Sequence, residues 1–275
     1  CWSTPGLAAS VSRSWSGSGS VCPAGGEKAR ENAIRNAGGE LLLTPAESYV
    51  NAFPEFIKNY LTENPDTSYI NHVMGDISGR GRGINGAAID AFKPFVHEVV
   101  EAGIKPDVVI CPLGNGTTTL PMVTGFKSMF RKTKVVGFES VAAGFAHRRY
   151  YPGKYEEVFE INPDVFSRHD LPGSSPSHTT FDMPALEAAI PQLDGVGLVT
   201  SDYMDRLFNE TVGFKPSDKS HWVVKWDDFH HEAISEFGRT GRAGFAVAVT
   251  LARKEKMLGK HFLVPVFDAA WHYDS

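Results

Sequence analysis

Short apolar runs alternate with longer amphipathic stretches along the chain from Glu27 onward. Apolar positions at helical spacing predict a helix from Glu27 to Ala37, ended by Gly38-Gly39, a strand over Glu40 to Thr44, and a second helix from Ala46 to Leu61. The pattern continues with a strand at Ser68 to Val73, a helix at Ala87 to Ala102, a strand at Asp107 to Cys111, a helix at Thr119 to Phe130 and a strand at Lys134 to Glu139. A long irregular region follows Ser140, including Arg148-Arg149-Tyr150-Tyr151 and Pro172 to Pro176. Asp182 is expected to cap a short helix from Pro184 to Ile190, before a strand at Gly195 to Thr200. Beyond these come a strand at Trp222 to Trp226, helices at Asp228 to Phe237 and Gly241 to Lys256, and a last strand at His261 to Phe267. Regular alternation of this kind implies an α/β fold with a mostly parallel sheet covered by helices on both faces. Residues 1 to 26, rich in Ser, Gly and Trp, show little periodicity, and no internal repeat is present.

Composition narrows this picture only slightly. At 275 residues with 42% hydrophobic content, the chain has enough apolar side chain for two closely joined α/β lobes. The formal net charge of −5 is made of interspersed signs, and the basic residues between Lys127 and Lys134 are scattered, so nucleic acid is not an expected partner. Apolar runs such as Phe262 to Phe267 are far too short to span a bilayer, and a cytoplasmic home is the expectation. Cys1, Cys22 and Cys111 show neither metal-type nor paired spacing, which predicts a reducing compartment and no disulfide framework. The chain opens without Met, so residue 1 is expected to be an interior point of a longer protein, with a lipidated Cys1 as the alternative.

One segment carries chemistry on its own. Asp107 to Cys111 breaks at Pro112-Leu113-Gly114-Asn115-Gly116-Thr117-Thr118-Thr119 into the next helix. Backbone N–H groups at a helix start lack intrahelical partners and the helix dipole adds positive charge there, so such a turn holds a phosphate without any lysine. Gly114 and Gly116 allow close approach of the backbone, Thr117, Thr118 and Thr119 offer hydroxyls, and Pro121 sits where a helix tolerates it. An ordinary strand-to-helix turn is the alternative. Gly81-Arg82-Gly83-Ile84-Asn85-Gly86 matches the dinucleotide pattern G-x-G-x-x-G but does not follow a strand directly, which favours a flexible loop over a nicotinamide site. Asp227-Asp228-Phe229-His230-His231-Glu232 lies between an apolar strand and a helix, where capping explains the acids better than a metal does. No metal site is expected, and no serine occupies a G-x-S-x-G elbow.

In order along the chain, these segments resemble the fold type II pyridoxal-phosphate enzymes, the tryptophan synthase β superfamily, and most of all its cysteine synthase and cystathionine β-synthase branch. Arg30 to Thr44 resembles the family's basic helix and "LG-A-E-L" step, Tyr69-Ile70-Asn71 its "YINQ" strand, and Gly114 to Thr118 its G-T-G-G-T phosphate loop. Lys134 to Ser140 resembles the "VVGVEP" strand, while Arg242 to Leu251, Gly259 to Val264 and Phe267 to Ser275 resemble the closing helix, strand and "PDSGERYLS" segment. The resemblance implies two three-layer αβα lobes, with residues 1 to 80 the remainder of a small substrate-side lobe and residues 81 to 275 a large cofactor lobe. It implies pyridoxal 5′-phosphate held at Gly114, Asn115, Gly116, Thr117 and Thr118, a small amino-acid substrate, and a homodimer.

The departures from the family are specific. In the family the lysine that holds the cofactor as a Schiff base precedes a Ser/Thr-Gly-Asn substrate loop. This chain begins at about that loop, with Cys1-Trp2-Ser3-Thr4 a poor match to it, so the resemblance implies a lysine upstream of residue 1. Lys28, Lys58 and Lys93, on solvated helix faces, are not expected to replace it. The serine that partners the cofactor's ring nitrogen aligns with Ala269, whose side chain forms no hydrogen bond. A register shift of one residue would bring Asp268 there, setting a carboxylate against the nitrogen and favouring its protonated form. The serine pair near the closing helix is replaced by Arg242-Ala243. The expected activity is β-replacement or β-elimination on a serine-derived amino acid by a lyase or transferase of cysteine synthase type. Two other readings stay open: a non-catalytic relative that keeps the fold, and a nicotinamide-dependent oxidoreductase using Gly81 to Gly86.

Overall fold

The computed structural model describes residues 19–25, 28–67, 69, 86–141, 144–155, 171, 183–200, 223–225, 236–267 and 269. A short parallel pair, β1 (Gly19–Pro23) with β2 (Glu40–Thr44), flanks helix α1 (Lys28–Asn36). A 3-10 turn at Ala46–Ala52 leads into α2 (Phe53–Glu63), so the single helix expected from Ala46 is two elements. The break falls where Pro54 enters the first turn of α2, a position that needs no N–H.

The larger sheet is wholly parallel, and its order is set by four strands and a fifth added on the far side. After α3 (Gly86–Glu101) come β3 (Val108–Pro112), α4 (Thr119–Met129), β4 (Lys134–Ser140) and α5 (Phe145–Tyr150). Then follow α6 (Pro184–Ala189), a 3-10 turn at Ile190–Gln192, β5 (Gly195–Thr200), β6 (Val223–Lys225), α7 (Arg239–Ala252) and β7 (Phe262–Leu263). The strand order is β6-β5-β4-β3-β7. The chain therefore steps outward from β3 through β4, β5 and β6, then returns to place β7 on the other side of β3. In open α/β sheets the crevice outside the carboxyl ends of the strands at such a reversal is where ligands bind.

Side-chain alternation along the strands builds the three layers. Val109, Cys111, Val135 and Val196 face one core with Val96 and Val99 of α3, Met122, Val123 and Phe126 of α4, and Phe53, Ile57 and Leu61 of α2. The residues between them, Val108, Ile110, Val136, Phe138 and Val199, face a second core with Ala243, Ala246, Val247 and Leu251 of α7. Being covered on both faces, these strands read as continuous apolar runs in the sequence.

β1 has no counterpart in the sequence reading, and the last strand is confined to Phe262–Leu263 rather than running to Phe267. The segment from Arg148 to Tyr150 is the end of helix α5, not irregular loop. The N-cap of α6 is Met183, with no side-chain cap bond, and Asp182 lies outside the described residues. Cys22 is disulfide-bonded, which overturns the expectation of no disulfide: spacing along the chain does not exclude a bridge that needs only proximity in space. Of the strand expected at Ser68 to Val73, only Tyr69 is described, and it lies outside any strand. No helix among the described residues is long and apolar enough to cross a membrane.

The amino ends of β4 and β5 are clamped by Asp194. Its carboxylate accepts from the Val135 N–H at 2.9 Å and pairs with Lys127 at 2.9 Å and Lys134 at 3.0 Å. Partial burial alone would raise its pKa, but the Val135 N–H and the two lysines outweigh that and hold the group below the usual carboxylate range. A depressed folded pKa adds stability that is present above the unfolded value, about 3.9, and is lost as pH falls through the folded value. Asp194→Asn is therefore expected to lower unfolding free energy by about 1–2 kcal/mol near neutral pH. In urea unfolding at stepped pH, that gap should close below about pH 4; a gap independent of pH would contradict the assignment.

Candidate functional site

The turn after β3 lies at the carboxyl end of the sheet, at the reversal of strand order. The Leu113 N–H donates to the Phe138 carbonyl at 2.8 Å, extending the β3–β4 pairing one residue past Pro112. The chain then turns sharply. Asn115 Oδ1 accepts from the Thr117 N–H at 2.9 Å, an Asx turn that shapes the loop from within. Gly116 has φ +89°, and a Cβ there would overlap the backbone of Ala185 and Leu186. What Gly116 approaches is thus the first turn of α6, and the loop rests on that turn.

The helix begins as the Leu120 N–H donates to the Gly116 carbonyl at 2.8 Å. Thr119 Oγ1 donates back to the Pro112 carbonyl at 3.0 Å, so this hydroxyl ties loop to strand rather than facing a ligand. Thr118, the N-cap of α4, makes no side-chain cap bond, and no acidic residue lies in the first turn. Pro121, also in the first turn, lacks an N–H that the helix would leave unpaired there in any case. No carboxylate in the first turn offsets the positive end of the α4 dipole.

Beside this loop, at the end of β4, stands a residue the sequence reading passed over. Glu139 is fully buried, and its carboxylate accepts from the Ala146 N–H at 3.2 Å and the His147 N–H at 2.7 Å. It caps α5 from five residues outside the helix, a role that a capping pattern in local sequence does not reveal. A lone acid at the end of an apolar strand was the available signal. Gly144 opens α5 with φ +46°, under the ring of Tyr155, whose hydroxyl donates to the Val141 carbonyl. The His147 ring lies 5.0 Å from Tyr151 and 6.0 Å from Tyr155. Arg149 stacks over Phe145 at 4.0 Å and donates from Nε to Glu187 of α6 at 2.8 Å, which links α5 to the helix carrying the loop.

The other sequence candidates are placed less fully. Asp268 lies outside the described residues, as do Gly81 to Asn85 and Asp227 to Glu232, while Gly86 opens α3. Ala269 forms an antiparallel bridge with Phe237, just before α7. Burial pushes the Cys111 thiol up to about 12 and the Tyr69 phenol up to about 12, so both stay protonated at neutral pH. Among the described residues, no group of His, Cys, Asp and Glu is arranged to hold a metal ion.

A sequence model of the pyridoxal-phosphate dependent enzyme family matches residues 20 to 189, a span that includes this loop. The chain belongs to that family. No curated protein sequence matches it. Among solved structures it is similar to O-acetylserine sulfhydrylase isoform 3 of Entamoeba histolytica, with TM-score 0.65 and 12% identity over 98% of this chain and 66% of that one. It is also similar to the cysteine synthase of Entamoeba histolytica, with TM-score 0.61 and 14% identity over 94% of this chain and 62% of that one. For a hydrogen sulfide-producing enzyme of Fusobacterium nucleatum the TM-score is 0.62, at 16% identity over 93% of this chain and 71% of that one. The chain spans less than two thirds of the length of the two Entamoeba enzymes, and at these identities the likeness is one of fold.

The electrostatics of the loop bear on whether it could hold the family's cofactor. A phosphate ester needs positive potential, and the amino end of α4 presents it without a competing carboxylate, while the Thr117 and Leu120 N–H groups are already engaged by Asn115 Oδ1 and the Gly116 carbonyl. Gly114, Asn115 and Thr118 are half-buried at the loop surface, whereas Gly116 and Thr117 are packed beneath them.

Proposed function

We propose that this chain is part of a pyridoxal-phosphate dependent lyase or transferase of cysteine synthase type, catalysing β-replacement or β-elimination on a serine-derived amino acid. The observation that carries the reading is the loop Gly114, Asn115, Gly116, Thr117 and Thr118 at the acid-free amino end of α4, within the span matched by the family. In this reading the loop holds the cofactor phosphate, and the cofactor, when bound, withdraws electrons from the substrate's α-carbon. Asn115 shapes the loop through the Thr117 N–H, Thr119 anchors it to β3, and α6 supports it from below. Residues 1 to 80 form part of a small lobe around the β1–β2 pair, residues 81 to 275 form the cofactor lobe, and the protein works as a homodimer. Similarity to O-acetylserine sulfhydrylase isoform 3 of Entamoeba histolytica supports an activated serine as substrate.

Ala269 motivates a second reading. Its methyl group offers no partner to the cofactor's ring nitrogen, and Asp268 would have to take that place. If neither does, the chain is a relative that binds the cofactor without turning it over. Incubating the full-length natural protein with O-acetylserine and sulfide separates the two. The first reading expects cysteine to form at a rate that collapses on removal of pyridoxal phosphate; bound cofactor with no product from activated serines would leave the second.

A further inference from the structure

We propose that an open surface depression of ≈ 280 Å³ at the amino ends of β3 and β4 is a binding site for a small polyanion, remote from the loop at the opposite end of the sheet. Lys105, Arg131 and Lys132 line it, and all three are exposed. None of the three makes an ion pair among the described residues, in contrast to Lys127, Lys134 and Lys260 nearby. The one carboxylate on the wall, Asp107, is engaged by Lys260 at 3.0 Å and by the His261 N–H at 3.0 Å. In a chain of net charge −5, this is a local inversion of sign around a concave surface.

Compensation of helix dipoles does not account for these cations. The last turn of α3 holds no basic residue, and the one in the last turn of α4, Lys127, is paired with Asp194. Lys105 lies four residues past the end of α3, and Arg131 and Lys132 follow Phe130, the C-cap of α4. The dipole effect fades within the last turn, so at these positions it favours a cation little. The walls are nevertheless fixed: Thr133 Oγ1 donates to the Pro106 carbonyl at 2.6 Å, and the Thr133 N–H donates to the Phe130 carbonyl at 3.0 Å. Two loops are thereby held at a set separation, and Lys105, Arg131, Lys132 and the half-buried Phe130 all line the depression between them. That arrangement suits several phosphate or carboxylate groups on one small molecule better than a single monoanion.

Inorganic tripolyphosphate is the probe, titrated calorimetrically into the full chain at low salt. Saturable binding is expected, weakened at least tenfold by the combined Lys105→Ala, Arg131→Ala and Lys132→Ala variant and by added salt. The side chains are exposed, so the variant's thermal unfolding without probe should match the parent; should it fail to fold, Lys132→Gln alone is expected to weaken binding about threefold. Thr118→Asp, which alters the cofactor loop, should leave this binding intact, which separates the inference from the cofactor reading. Absence of saturable binding, equal affinity in parent and variants, or loss only in Thr118→Asp would overturn the assignment.

Discussion

Gly116→Ala is expected to destabilise the protein by about 3 kcal/mol or more. Two costs add at this residue. A φ of +89° is strained for any residue with a Cβ, at about 1 kcal/mol or more. The Cβ would also run into backbone atoms of Ala185 and Leu186, which unlike a flexible side chain cannot swing aside. Relief requires α6 to move off the loop, and α6 is tied to α5 through Glu187 and Arg149. Gly153 supplies the control, since its φ is +78° but nothing lies within 4 Å of a Cβ built there. Gly153→Ala is expected to show only the conformational cost, about 1 kcal/mol. Urea unfolding of the two variants side by side checks the difference; equal small losses would mean that the loop does not rest on α6.

Thr118→Asp is expected to weaken pyridoxal phosphate binding about a hundredfold, or about 3 kcal/mol, without lowering the stability of the fold. The two effects have opposite signs for one physical reason. An acid in the first turn of a helix interacts favourably with the dipole, by about 0.3–1 kcal/mol, and α4 has none there. The same negative charge, placed within a few ångströms of a phosphate dianion, repels it. A variant that merely damaged the fold would lose both properties together. Thr118→Val marks the smaller contribution of the hydroxyl, about 1 kcal/mol in binding.

The elements legible in the sequence are those whose apolar pattern is local. β2 and β5 have the boundaries their runs predict, because both are short apolar runs ended by a threonine before polar or turn residues. The turn from β3 into α4 was legible for the same reason: two glycines after a buried strand have few other uses. What escaped was set by distant partners. β1 carries two glycine and serine positions that read as linker, and it is a strand because β2 pairs with it along its whole length. α5 falls in the stretch expected to be irregular, yet Arg149 covers the Phe145 ring and Arg148 lies 5.6 Å from that of Tyr155, with the helix capped by the remote Glu139. Tertiary contacts decide such segments, and no window of sequence contains them.

The phosphorus resonance of pyridoxal 5′-phosphate, followed by nuclear magnetic resonance as the full chain is titrated in, reports on the loop itself. A saturable shift of that resonance in the parent protein, absent at the same concentrations in a Thr118→Asp variant that unfolds at an equal or higher temperature, is the predicted result. Equal binding by parent and variant, or a resonance that stays at its free position in both, would contradict the assignment of Gly114 to Thr118 as the site of the cofactor phosphate.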